Sequence, residues 1–218
     1  MKTDSQLRKD IQDELKFQPN IRETEIGVAV KHGVVTLTGT VDSYAQKLEA
    51  EHAAENVSGV RAVAEDLEVK LAHSFQRSDT EIAEAAVYAL KWNVEVPDAR
   101  IKLRVEDGYV TMDGDVDWQF QRNAAYDSVR HLLGVKGVRN VIAVRQPKAS
   151  AFDVSQKIQE AFRRSATIDS QKISVEAMDG CVVLKGTVRS WAERQDAERA
   201  AYAAPGVTMV DDLIAVGV

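Results

Sequence analysis

The segment VVTLTGTV, Val34–Val41, reads as a β-strand with a gap in it. Val35, Leu37 and Val41 alternate onto one apolar face, following the two-residue period of a strand, yet Gly39 falls on that face and buries nothing. Glycine inside a strand weakens it and marks a bulge or a close approach by another backbone. The same flaw returns as YVTMDGDV from Tyr109 and as CVVLKGTV from Cys181. Gly33, Gly108 and Gly180 stand 75 and then 72 residues apart. The same steps carry Gly39 to Gly114 to Gly186, Gly59 to Gly134 to Gly206, and Leu15 to Leu90 to Phe162. Repetition at fixed offsets is the mark of a chain assembled from copies of one unit. The chain therefore divides into three units, residues 1–72, 78–146 and 150–218, with AHSFQRS and QPKAS (containing Pro147) between them. Each unit is small enough that its own core gives only marginal stability.

Within a unit the order reads helix, strand, strand, helix, strand. Leu7, Ile11 and Leu15 recur four apart, as do Ile82, Ala86, Leu90 and Val154, Ile158, Phe162, the stripe of an amphipathic helix. Ile26, Val28 and Val30 alternate in the first strand, and HG, DG and DG at 32–33, 107–108 and 179–180 are two-residue hairpin turns. A second helix starts near Ser43, Asp117 and Ser190; Ser43 with Gln46 and Ser190 with Glu193 have capping-box spacing. Its inner side is rich in alanine, and Gly59, Gly134 and Gly206 are placed as its C-caps. A last strand carries Leu67, Ile142 or Ile214. The fold class is α+β: three tandem αββαβ domains, each a three-stranded mixed sheet with two helices on one face and the second strand in the middle. Because an alanine-lined helix lies close to its sheet, Gly39, Gly114 and Gly186 are expected to be notches that admit it.

These residues carry a family resemblance. GVVTLTGTVDSYAQKLEAEHAAENVSGVRAVAEDLEV from Gly33, with its counterparts from Gly108 and Gly180, resembles the BON domain from end to end. With the leading helices, the resemblance covers nearly the whole chain. It implies a binding or scaffold module associated with osmotic or envelope stress or with transport, and not an enzyme. The ligands it implies are a phospholipid headgroup, an ion such as potassium, or a protein.

Composition narrows the alternatives. The 218 residues are 44% hydrophobic and 28% charged, an ordinary globular profile, and the net charge is −6. A nucleic-acid footprint needs a basic field, so no nucleic-acid partner is expected. MKTDSQLRKDIQDEL carries charge throughout and has neither a signal-peptide nor a transmembrane pattern, which points to the cytoplasm. Cys181 has no partner for an internal disulfide and reads as packing.

No catalytic, cofactor-binding or metal-binding residue stands out. His32, His52, His73 and His131 have no metal-ligand spacing. GVKG at 134–137 resembles a backbone-clamping GxxG loop, but leads from helix to strand instead of joining two helices. A rival reading, a nucleic-acid-binding or enzymatic protein with a cryptic site, finds no nucleophile–base pair or phosphate loop to rest on. Arg100, Lys102 and Arg104 share a strand face, but the 107–108 turn sets Arg100 opposite Asp115, Lys102 opposite Asp113 and Arg104 opposite Thr111. Such pairs neutralise the stripe and leave Arg104, with no acid opposite it, as a candidate contact residue. Trp118 begins a helix where the other units have serine, and it is the candidate for an exposed apolar contact. Trp92 is expected at the edge of the core. Smooth outer sheet positions, Ala29 with Thr36, Val141 with Ala143 and Leu213 with Ala215, are expected to bury against sibling domains or a second chain.

Overall fold

The computed structural model describes residues 2–146 and 149–217; Pro147 and Lys148 of the second linker lie outside the described residues. Unit 1 comprises α1 (Asp4–Phe17), β1 (Ile26–Lys31), β2 (Val34–Val41), α2 (Tyr44–Glu55) and β3 (Ala62–Val69). Unit 2 repeats it as α3 (Asp79–Trp92), β4 (Ile101–Glu106), β5 (Tyr109–Val116), α4 (Gln119–Arg130) and a divided last strand, β6 (Gly137–Asn140) with β7 (Ala143–Val144). Unit 3 has α5 (Ala151–Arg164), β8 (Ile173–Met178), β9 (Cys181–Val188), α6 (Trp191–Tyr202) and β10 (Met209–Val216). In each sheet the second strand is central, antiparallel to the first and parallel to the last. Each unit closes over its own core. Leu7, Ile11, Leu15, Val35, Leu37 and Ala50 are among the residues buried in the first.

The hairpins follow the turn chemistry. His32, Asp107 and Asp179 have φ of 53°, 51° and 47°, and Gly33, Gly108 and Gly180 of 77°, 82° and 82°, so both turn residues are left-handed, as a type I′ turn demands. Two of the turns are tied down by a residue that the sequence pattern does not reveal. The Asp4 carboxylate accepts from the His32 and Gly33 amides at 2.8 and 3.1 Å, and Asp79 accepts from Asp107 and Gly108, both at 2.9 Å. Ala151 holds this place in unit 3.

The notch reading of Gly39, Gly114 and Gly186 is overturned. Their φ values are 123°, 137° and 148°, and a methyl added at each would overlap the carbonyl oxygen of Glu25, Arg100 or Lys172. Those oxygens belong to the chain entering the first strand, not to the alanine-rich helix. The glycines let the central strand bend beneath a neighbouring backbone.

Other expectations also need amendment. Gly59, Gly134 and Gly206 are not helix C-caps: α2, α4 and α6 end at Glu55, Arg130 and Tyr202, and Asn56, His131 and Ala203 cap them. The glycines (φ 102°, 89° and 90°) lie four residues past the last helical residue, in the turn to the final strand. Helix α4 starts at Gln119, near Asp117 as expected, with Trp118 at its N-cap. The capping boxes are half formed: Ser43 and Ser190 accept from the Gln46 and Glu193 amides, but those side chains reach back to Asp42 and Arg189. Trp92 is 73% exposed beside Tyr88, not folded onto the core edge. Val141 and Leu213 also stay exposed, so sibling domains do not bury the outer sheet faces.

Sibling contacts come from the second helices instead. Tyr44 of unit 1 packs against the unit 2 core, and its hydroxyl lies 2.9 Å from that of Tyr126. Trp191 of unit 3 donates its indole N–H to the Val60 carbonyl of unit 1 at 3.2 Å. The start of α4 and the end of α6 face one another across a cleft. Unit 1 reaches unit 2, unit 2 faces unit 3, and unit 3 returns to unit 1: a head-to-tail ring within one chain.

Candidate functional site

Every second helix is tied to the last strand of its own unit by a clamp. Lys47 Nζ lies 3.1 Å from Glu65 and donates to the Leu67 carbonyl at 2.8 Å. Arg122 donates to the Asn140 carbonyl at 3.3 Å, and Arg194 bonds the Asp212 carboxylate at 2.7 Å and its carbonyl at 3.0 Å. Glu65, Asn140 and Asp212 in turn accept from the amide two residues on. Their outer faces are thereby fixed, and the three helices present rigid surfaces to one another.

Where these faces meet, ionisation is disturbed. Glu51, Tyr126 and Glu198 occupy equivalent positions at the repeat steps of 75 and 72 residues. Burial raises the Glu51 carboxyl above its ordinary range, with the charges of Glu55 and Glu65 adding to the rise. Burial likewise raises Glu198, helped by Asp212 and opposed by Arg194. Tyr126 is pushed up strongly by burial and then by its bond to Tyr44, and Arg130 lies over its ring at 5.6 Å from the centroid. Beside it, His52 is held up by its hydrogen bond to Glu55.

The cleft between units 2 and 3 encloses about 590 Å³. Trp118, Gln119, Phe120 and Asn123 form one wall; Gln195, Glu198, Arg199 and Tyr202 form the other. Trp118 is half-buried and Phe120 52% exposed. Gln121 accepts from the Asp117 and Trp118 amides, both at 3.0 Å, and so fixes the start of the helix that carries these rings. The arrangement offers flat apolar faces, amide donors and acceptors, and one charge of each sign. Such a mixed lining suits an amphipathic group.

Of the two contact candidates, Trp118 lies in this cleft and Arg104 does not. Arg104 stands on the open face of β4, where its guanidinium pairs with Glu106 at 3.1 Å along the same strand. The register sets Lys102 opposite Asp113 and Arg104 opposite Thr111, as the turn requires. Arg100 is engaged by Asp115 and Asp117. Tyr44 and Trp191, which build two of the three junctions, carry no local pattern that separates them from helix-start aromatics. Only alignment of the repeats, with Gln119 between them, sets them apart. Among the described residues no group of histidine, cysteine or acidic side chains is placed to hold a metal, and no helix is long and apolar enough to cross a membrane.

The family profile repeats the threefold architecture. The BON domain profile matches three times, over residues 3–70, 78–146 and 150–218. Osmotically-inducible protein Y of Escherichia coli (strain K12) is 33% identical over 141 residues, covering 63% of this chain and 70% of that protein. Among solved structures, CdsD, a structural protein of the type III secretion system of Chlamydia trachomatis, aligns at 15% identity and a TM-score of 0.28 over 96% of this chain and 91% of that one. The C-terminal domain of CdsD aligns at 16% identity and a TM-score of 0.27, over 97% of each chain. With the profile matched three times, the chain belongs to the BON domain family.

Proposed function

We propose that this protein is a non-enzymatic binding and scaffold module of the osmotic-stress response, and that its ligand enters the cleft between α4 and α6. The kinship to an osmotically inducible protein supports the stress association. The single observation that favours a ligand here is the lining itself: three aromatic rings with an amide rim, open to solvent between two domains. Of an ion, a phospholipid headgroup and a protein, the rings favour a protein group, because a bare ion needs several converging oxygen ligands to replace its water, which a lining of rings and amides with one carboxylate does not supply. The net charge of −6 also opposes attraction to anionic lipid or nucleic acid.

A photo-crosslinking side chain tests this reading in cells. Phe120→p-benzoylphenylalanine is expected to capture protein adducts whose yield rises after osmotic upshift, whereas the same change at Arg104 captures none. Equal capture at both positions, or a Phe120 yield indifferent to osmolarity, would overturn it. Thermal midpoints in potassium against sodium chloride, and co-sedimentation with anionic vesicles at low salt, test the other two ligand classes. A potassium-specific rise, or pelleting with vesicles, would favour those classes instead.

A further inference from the structure

Resting on that reading of the cleft, we infer that it is a socket for a tyrosine or tryptophan side chain, presented by a protein partner in the first turn of a helix. The first residue of the second helix is Tyr44 in unit 1, Gln119 in unit 2 and Trp191 in unit 3. Tyr44 inserts against unit 2 and bonds Tyr126; Trp191 crosses to unit 1 and bonds the Val60 carbonyl. Each junction is closed by a ring with one polar tip, a side chain that brings a large apolar body and an end needing a partner. At the third junction Gln119 supplies neither ring nor reach, and the cleft remains.

Two further features specify the occupant. Gln119 Oε1 is buried and accepts no hydrogen bond among the described residues, while its amide nitrogen donates to Asn123 at 3.1 Å. A buried acceptor without a partner is costly, and turning the Gln119 amide from Asn123 toward an incoming donor removes that cost. An acyl chain has no donor to give. The aromatic surface has also moved from the inserting residue to the walls: Trp118 and Phe120 stand where units 1 and 3 have Ser43 with Ala45 and Ser190 with Ala192. Those rings can stack on an incoming one, and Glu198, at the position of Tyr126, offers a second acceptor.

Amide NMR of the full chain tests the socket with p-cresol and 3-methylindole as side-chain analogues and toluene as the donorless control. Both donors should shift the amides of residues 118–123 and 195–203 saturably, with affinity about three- to tenfold above toluene. A peptide of residues 43–55 should displace p-cresol, and its Tyr44→Ala version should not. Gln119→Tyr, which supplies the ring from within, should abolish the shifts and raise the thermal midpoint. Should that variant fail to fold, Gln119→Met should keep toluene binding and reduce the preference for donors, and Gln119→Met with Glu198→Leu should abolish that preference. Equal affinity for toluene and p-cresol, no saturable shift at these residues, or vesicle binding blocked by Gln119→Tyr would overturn the socket. Failure here with osmotically responsive crosslinking intact removes the socket alone; failure of both removes the cleft as a ligand site.

Discussion

At Gly39 the side chain is a single hydrogen because the Glu25 carbonyl oxygen occupies the space a methyl would need. Gly39→Ala should therefore cost nearly as much as Gly39→Val, about 1–3 kcal/mol in urea unfolding of the full chain. A packing notch beneath a helix would instead tolerate alanine and reject valine. At the hairpin, the His32 and Gly33 amides hold the Asp4 carboxyl below its ordinary 3.8. A depressed acid stabilises the fold above its unfolded value and loses that contribution as pH falls through the lower folded one. Deuterium exchange at the Gly33 amide, corrected for intrinsic rates, should thus lose protection as the pH is lowered below 3.8. Asp4→Ala should remove the protection at neutral pH as well. The sequence made the turn glycines and their left-handed partners evident, because turn geometry is local. It hid Asp4 and Asp79, because a first-turn aspartate is a commonplace of helices and its bond crosses to residues 28 and 29 positions away.

Among elements, the clamp between the second helix and the last strand holds each unit's two layers in register. Lys47 and Glu65 are both mostly buried, at 24% and 17% side-chain exposure. Lys47→Met keeps the apolar stem but leaves a shielded carboxylate unpaired, and should cost about 1–3 kcal/mol. The double variant Lys47→Met with Glu65→Gln should recover part of that loss in a double-mutant cycle. Additive losses would show that the pair is not coupled. Hairpin register was legible in advance, since alternation and a two-residue turn leave one solution, and strand order followed from the right-handed crossover through the second helix. The clamps were not, because Lys47, Arg122 and Arg194 look like any solvated helix face until the strand beside them is in place. The break between β6 and β7 also had no sequence sign beyond Asn140.

Across the whole molecule, three domains that share one architecture are joined by three unlike junctions. Trp191→Ala should release unit 3 from unit 1 and increase the radius of gyration in small-angle scattering, with circular dichroism unchanged. An unchanged radius would mean that the Val60 contact does not hold the ring shut. Sequence reading expected contact between siblings but assigned it to the wrong surface. Smooth sheet faces looked adhesive by composition, whereas the joining residues are isolated aromatics whose role depends on where the next domain sits. The junction to unit 1 also links residues 131 positions apart. During synthesis the first unit can fold as soon as it leaves the ribosome, since domains fold largely as units. Its place for Trp191 stays open until the third has emerged. A chain stalled after its second domain would therefore expose a surface that the finished protein conceals, and quality-control proteases could tell truncated copies from complete ones.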